Sequence, residues 1–213
     1  MRTQTQQVEL VPLEAKGHDL QDAALVAARA FHDDPFFEFL DRHAVTRARG
    51  LALFWRATIA AAAPKATITA ARRPDDGRIL GLSVVVAPGD WPLSVPSQGR
   101  QLAGAFRALA IRPRALLRGA RYLFSIEAAH PKEEHWYLLL LVVDPSVQRG
   151  GIGGMLQQEM LRRADSDGLD CYLETQKRDN VAYYGRFGYE LTRELEPVSG
   201  GPPLFLMRRP PKS

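Results

Sequence analysis

Val143-Asp144-Pro145-Ser146-Val147-Gln148-Arg149-Gly150-Gly151-Ile152-Gly153-Gly154 is the stretch on which the fold turns. An apolar run from Trp136 to Val143 leads into it and reads as a fully buried strand. Asp144-Pro145 stops that strand, because proline has no N–H to give to a sheet ladder. Four glycines in five positions follow, and then a helical run from Met155 to Arg163. Strand, glycine turn and helix in that order gather unpaired N–H groups and the positive end of a helix at one place, which suits a phosphate. A side chain there would hold the phosphate away from the backbone.

What the loop lacks excludes two familiar phosphate-binding motifs. A nucleotide-binding P-loop needs Lys-Ser/Thr after its last glycine, and Gly153 is followed by Gly154-Met155. A dinucleotide fingerprint needs Gly-x-Gly-x-x-Gly, and after Gly151-Ile152-Gly153 the third glycine is misplaced. The pattern Gln/Arg-x-x-Gly-x-Gly/Ala is met by Gln148, Gly151 and Gly153. A second motif follows in Cys171-Tyr172-Leu173-Glu174-Thr175 and Asn180-Val181-Ala182-Tyr183-Tyr184-Gly185-Arg186-Phe187-Gly188-Tyr189.

By these two motifs the chain resembles the GNAT acetyltransferases. The resemblance implies acetyl-CoA as cosubstrate and no metal. It sets Gln148, Arg149, Gly150, Gly151, Ile152, Gly153 and Gly154 against the pyrophosphate, with Arg149 facing either solvent or the ribose phosphate. It sets the backbone of Leu141, Val142 and Val143 beside the pantetheine arm and the thioester carbonyl. Asn180 takes the place of a cofactor ligand, and it can equally be the N-cap of its helix. Tyr184 takes the place of the family's general acid, at the sulfur; the other reading is an aromatic packing residue. Tyr183 is expected to point into the core, since adjacent helix positions lie about 100° apart.

The implied fold is α/β (α+β): a mixed, mostly antiparallel sheet of six to seven strands, helices on both faces, and a splay between two central parallel strands. Within the superfamily the chain is most similar to puromycin N-acetyltransferase-like small-molecule acetyltransferases. That likeness rests on His130-Pro131-Lys132-Glu133, Trp136-Tyr137-Leu138, Leu173-Glu174-Thr175 and the run from Asn180 to Tyr189. Ala30-Phe31 with Asp33 and Pro35 also fits, but Asp34 stands where that subgroup has tyrosine.

Composition sets wide bounds. The chain has 213 residues, 46% of them hydrophobic and 24% charged, which suits one domain spanning residues 1–213. No run approaches the roughly 18 apolar residues of a membrane span. Met1 to Gln7 has no apolar core, so no signal peptide is expected. A single cysteine, Cys171, allows no internal disulfide, and a cytoplasmic location is expected. The net charge of +4 comes without a basic run interleaved with aromatics, so neither nucleic acid nor membrane is an expected partner. The expected partner is a small-molecule amine, and the expected state a monomer or homodimer.

Along the chain, Val8 to Leu13 reads as a first strand. A helix capped by Asp19 should carry Leu20, Ala24, Ala27 and Phe31 on one face and end near Pro35. Phe36 to Asp41 is a short aromatic stretch, and Arg47 to Ala63 reads as a second helix. Strands at 66–71 and 79–86 should form a hairpin around Asp76-Gly77. Gln98 to Ala129 reads as two helices parted near Pro113. A helix opening at Met155 should stop at Gly168, followed by a strand at 169–175, a helix at 180–187 and two closing strands.

The chemistry asks for more groups. An alkylamine with a pKa near that of lysine is only about 0.1% neutral at pH 7, so the acceptor needs a base. Glu174, at the end of its strand, and His135, at the start of the central one, are the candidates. A structural, hydrogen-bonded Glu174 and a surface His135 are the plainer alternatives. Asp33, Asp34, Phe36, Phe37 and Trp91 are the candidate acceptor pocket, an acidic and aromatic set suited to a cationic amine. The leading expectation is acetyl transfer to a primary amine of a small molecule by direct attack on the thioester. A protein or peptide N-acetyltransferase and a non-catalytic acyl-CoA-binding module are the competitors.

Overall fold

In the computed structural model, which describes residues 7–92 and 113–212, the apolar run ahead of the glycine loop is the middle strand of a seven-stranded sheet. In chain order the elements begin with β1 (Glu9–Pro12), α1 (Gly17–Ala30), α2 (Pro35–Leu40), α3 (Ala44–Ala62), β2 (Ala66–Arg72) and β3 (Ile79–Val86). They continue with α4 (Pro113–Ala129), β4 (Trp136–Val143), a 3-10 turn at Pro145–Val147, α5 (Ile152–Asp167) and β5 (Cys171–Thr175). α6 (Arg178–Gly185), β6 (Glu190–Leu195) and β7 (Leu204–Arg209) close the fold. The sheet order is β1-β2-β3-β4-β5-β7-β6, and every neighbouring pair is antiparallel except β4 and β5.

That parallel pair is brief. Trp136 pairs with Cys171 and Tyr137 with Tyr172, and there the pairing ends although β4 runs on to Val143. Past Tyr137 the two strands part, so the β5-facing edge of β4 has no strand partner. A bulge sits beside this parting. Val84 pairs with Leu140 but Val85 with Leu138, so Leu139 is passed over. The extra residue reverses the facing of the strand. Trp136 and Leu138 pack with α5 and α6, whereas Tyr137, Leu140 and Val142 pack on the opposite face, towards α1, α2, α3 and α4. Each fully buried side chain of this kind contributes about 1.5–3 kcal/mol, so the strand is anchored on both sides.

Local chemistry sets several boundaries differently from the sequence reading. Asp19 is not the cap of α1; Lys16 holds that position, and Asp19 lies in the first turn and pairs with Arg72 at 2.7 Å. The aromatic stretch is itself a helix, α2, because Asp34 accepts the Phe36 N–H at 3.0 Å and Pro35 occupies the first turn. The next helix begins at Ala44 rather than Arg47, and Arg47 is buried, donating to the His32 and Asp41 carbonyls. α5 opens at Ile152 rather than Met155 and ends on Gly168 in the left-handed region, φ 66°. Lys177, not Asn180, stands at the N-cap of α6. The helix expected over residues 98–112 lies outside the described residues.

Candidate active site

The glycine loop follows the end of β4, and its four glycines have different reasons to be glycine. Gly151 has φ 87°, which strains any residue with a side chain. At Gly153 a Cβ would stand 2.6 Å from the Tyr183 hydroxyl, and at Gly154 one would stand 3.3 Å from the Phe187 ring. These two are therefore fixed by the packing of α6 on α5. Gly150 has the Val147 carbonyl 3.3 Å from its Cβ position. Arg149 takes φ 66° with a full side chain, a strained conformation held in place at an exposed turn. The N–H groups of Gly151, Ile152 and Gly153 donate to no backbone carbonyl among the described residues. They meet the positive end of a helix of 16 residues.

An ion cluster braces the loop from beneath. Asp144 is buried and accepts from Arg29 at 2.7 Å, from Ser146 through both N–H and hydroxyl, and from Arg78 at 3.4 Å. Its own burial works against ionisation, but these donors win and hold its carboxyl down at about 2. The Gln148 side chain folds back to the Val143 carbonyl, 3.1 Å away.

The two faces of β5 carry different chemistry. Cys171 and Leu173 face α5 and α6 and share a cluster with Tyr184, while Tyr172 faces the other way with Tyr137. Glu174 lies on this second face, where its Oε2 accepts from the Tyr137 hydroxyl at 3.0 Å. A phenol and a carboxylate thus sit on opposite faces of the sheet where β4 and β5 part. Tyr184 is 8% exposed and its hydroxyl has no hydrogen-bond partner among the described residues. Burial raises its pKa, which keeps it a neutral proton donor.

Around Glu174 stands a buried polar group set among aromatic rings. His130 Nδ1 lies 3.4 Å from Glu174 Oε1, and His130 Nε2 lies 3.1 Å from His135 Nε2. His135 Nδ1 is 2.7 Å from the Glu133 carbonyl. Trp91 stacks on His130 at 5.0 Å, and the Tyr137 and Tyr172 rings meet it edge-on at 4.7 and 5.0 Å. Burial lowers the His135 pKa and raises those of Tyr137 and Tyr172.

A family model described as the acetyltransferase (GNAT) family matches residues 28–189. The chain belongs to the GNAT acetyltransferase family. It is accordingly an acyltransferase, in a family whose donor is acetyl-CoA. Its fold is similar to that of a Corynebacterium glutamicum protein described as histone acetyltransferase HPA2 and related acetyltransferase. There the identity is 22%, each chain is covered to 97% and the TM-score is 0.68. It is also similar to arylalkylamine N-acetyltransferase 2 from Aedes aegypti, at 11% identity, coverage of 97% and 100%, and a TM-score of 0.61. The PaiA N-acetyltransferase from Thermoplasma acidophilum, solved with coenzyme A, matches at 13% identity, coverage of 96% and 99%, and a TM-score of 0.54. Identities this low carry the fold and leave the acceptor open.

The residues expected at the site from the sequence fall into two groups. Val143 and the loop from Gln148 to Gly154 adjoin the N-terminus of α5, whose free amides suit a pyrophosphate. Leu141, Val142 and Val143 pair with β3 and lie where the other, β5-facing edge of β4 has no strand partner. Asn180 lies in the first turn of α6 and donates to Thr175 Oγ1 at 2.8 Å. Tyr183 is half-buried with its hydroxyl over Gly153, nearer the loop than a core residue would be.

The other group surrounds Glu174. His135 is buried rather than on the surface, and Trp91 and Phe36 join the same face. Asp34 is buried as the α2 cap, and desolvation lifts its pKa to about 6. Phe37 packs between Phe31, Phe54 and Trp55. Asp33 stands apart, with 81% of its side chain exposed and His32 as its partner at 2.7 Å. The sequence alone does not mark His130 as a site residue. It lies five positions before His135 across a proline turn, a spacing that matches no catalytic or metal-binding pattern. Among the described residues no group of His, Cys, Asp or Glu could hold a metal. No described helix is long and apolar enough to cross a membrane.

Proposed function

We propose that this chain is an acetyl-CoA-dependent N-acetyltransferase that acetylates a primary amine of a small molecule by direct attack on the thioester. One observation carries the reading: a phenol on one face and a buried carboxylate on the other flank the gap between β4 and β5, with the glycine loop at its end. The acceptor nitrogen approaches from the Glu174 side and attacks the carbonyl carbon. The N–C bond forms, the C–S bond breaks, and the electron pair leaves on sulfur. Tyr184 gives the sulfur its proton; Glu174 takes the one shed by nitrogen. A backbone N–H of β4 near Val142 and Val143 receives the developing oxyanion.

The small-molecule reading is favoured over a peptide by the acceptor side itself. Asp34, Phe36, Trp91, Tyr137 and Tyr172 put an acid and aromatic rings on that side, a chemistry suited to a small cationic amine. Puromycin-like and aminoglycoside amines fit that description and make antibiotic resistance a candidate role. We place the protein in the cytoplasm as a monomer or homodimer of one domain.

Thiol release from acetyl-CoA over a panel of small amines and peptides tests the proposal, with calorimetry for donor binding. Release with small amines is expected. Release only with peptides would give the protein-acetyltransferase reading, and binding without release a non-catalytic acyl-CoA-binding module.

A further inference from the structure

Valence fixes the proton positions around His130. The Glu133 carbonyl can only accept, so His135 Nδ1, 2.7 Å from it, carries a proton. Burial lowers the pKa of His135, so the ring is neutral near pH 7 and its Nε2 is bare. That bare nitrogen faces His130 Nε2 at 3.1 Å, and His130 Nε2 therefore carries the proton between them. With that proton on Nε2, the single-proton form of the His130 ring leaves Nδ1 bare and directed at Glu174 Oε1, 3.4 Å away. Both atoms are buried, and neither has a hydrogen-bond partner among the described residues. The other carboxylate oxygen is already engaged by the Tyr137 hydroxyl. Two lone pairs face each other across a space that one proton would bridge, an arrangement that is unfavourable until the proton arrives.

We propose that the gap between Glu174 Oε1 and His130 Nδ1 is the slot that receives the proton shed by the acceptor amine, with His130 and His135 as positioning residues. This deepens the acetyl-transfer reading and rests on it. The proton lost by nitrogen passes to the Glu174 carboxylate and is shared with His130 Nδ1. The proton gained by sulfur comes from Tyr184. Both groups then re-equilibrate with solvent on product release, so one proton is lost and one gained per turnover. The surroundings suit a transient imidazolium. Trp91, Tyr137 and Tyr172 present ring faces and edges to His130, and the Glu174 charge lies beside it. Glu127 of α4 and Arg208 of β7 are further charged groups among the described residues that act on the cluster, while Glu133 acts on His135 through its backbone carbonyl.

Two measurements test the slot. In the free protein, 15N spectra of the histidines near pH 7.5 should show His135 as the Nδ1–H tautomer and His130 as the Nε2–H tautomer. In steady state, His130→Gln should lower kcat by about 10- to 100-fold with the donor KM unchanged, and should move the acidic limb of the pH–kcat profile. His135→Gln, which frees the His130 tautomer, should move the same limb less. Acceptors with more acidic amines should recover part of the lost rate. A proton on His130 Nδ1 in the resting protein would overturn the proposal. So would a His130→Gln enzyme with an unshifted profile while wild type acetylates normally. Should His130→Gln not fold, the tautomer spectrum and His135→Gln decide. If wild type releases no thiol with any amine, the acetyl-transfer reading fails first and the slot loses its role with it.

Discussion

Replacing Asp34 by Asn should make the protein more stable at pH 8 than at pH 4, relative to wild type. Asp34 caps α2 through the Phe36 N–H at 3.0 Å and is 3% exposed. Desolvation is the largest influence on its carboxyl, ahead of the opposing pull of Lys177 and of the Phe36 and Phe37 amides, and the pKa stands at about 6. An unfolded aspartate titrates near 3.9. A raised acid pKa means that the folded state binds the proton more tightly than the unfolded one. Below about pH 4 both states are protonated and nothing is lost. Between pH 4 and 6 the unfolded chain ionises first, and the folded state falls behind. Above pH 6 the full penalty applies, about 2 units at 1.36 kcal/mol each, or roughly 3 kcal/mol. Asn keeps the cap, since it serves nearly as well as Asp there, and removes the charge. Urea unfolding of both proteins from pH 4 to pH 8 should show the Asp34→Asn advantage growing by about 2–3 kcal/mol over that range. An advantage that stays flat with pH would refute the reasoning, because only a buried charge makes it titrate.

Other outcomes follow from the same geometry. Gly81→Ala should destabilise the fold by about 1–3 kcal/mol in denaturant titrations, because its Cβ would stand 2.7 Å from the Val142 carbonyl. Asp144→Asn should lose about 2 kcal/mol at pH 7, since the native carboxyl sits at about 2. That stability is present above about pH 4 and vanishes as pH falls towards 2, which acid titration of both proteins would show. Gly153→Ala would set a Cβ 2.6 Å from the Tyr183 hydroxyl, and should displace it and weaken coenzyme A binding, on the order of tenfold by calorimetry. Tyr184→Phe should leave the Tm within a few degrees and lower kcat by roughly 100-fold; an unaltered kcat would remove Tyr184 from the chemistry.

Much of the frame was legible in the residues because it is carried by local rules. The glycine loop, the strand before it and the Gly168 stop depend on backbone geometry that neighbouring residues dictate. The hairpin around Gly77 and the closing strands followed in the same way. What escaped depends on contacts between distant segments. The apolar run from Trp136 to Val143 reads alike from either face, so the bulge at Leu139 left no sign in it. Asp144 looks like a strand stop, and its partners Arg29 and Arg78 lie far off in the chain. His130 is joined to Glu174 only once β5 lies beside β4. Tyr183 and Tyr184 differ in setting because α6 packs on two glycines of α5, which makes the loop's composition partly a matter of fit between helices.

The brief union of β4 with β5 reaches beyond the chemistry. Strands β1 to β4 form one leaf and β5, β7 and β6 another, stitched along the sheet by the pairs at Trp136–Cys171 and Tyr137–Tyr172. A molecule that wedges into the opening and bonds to the bare edge of β4 would act as a borrowed strand. A bound donor would then reinforce the join between the leaves, and each turnover would end by loosening a seam that the next donor tightens.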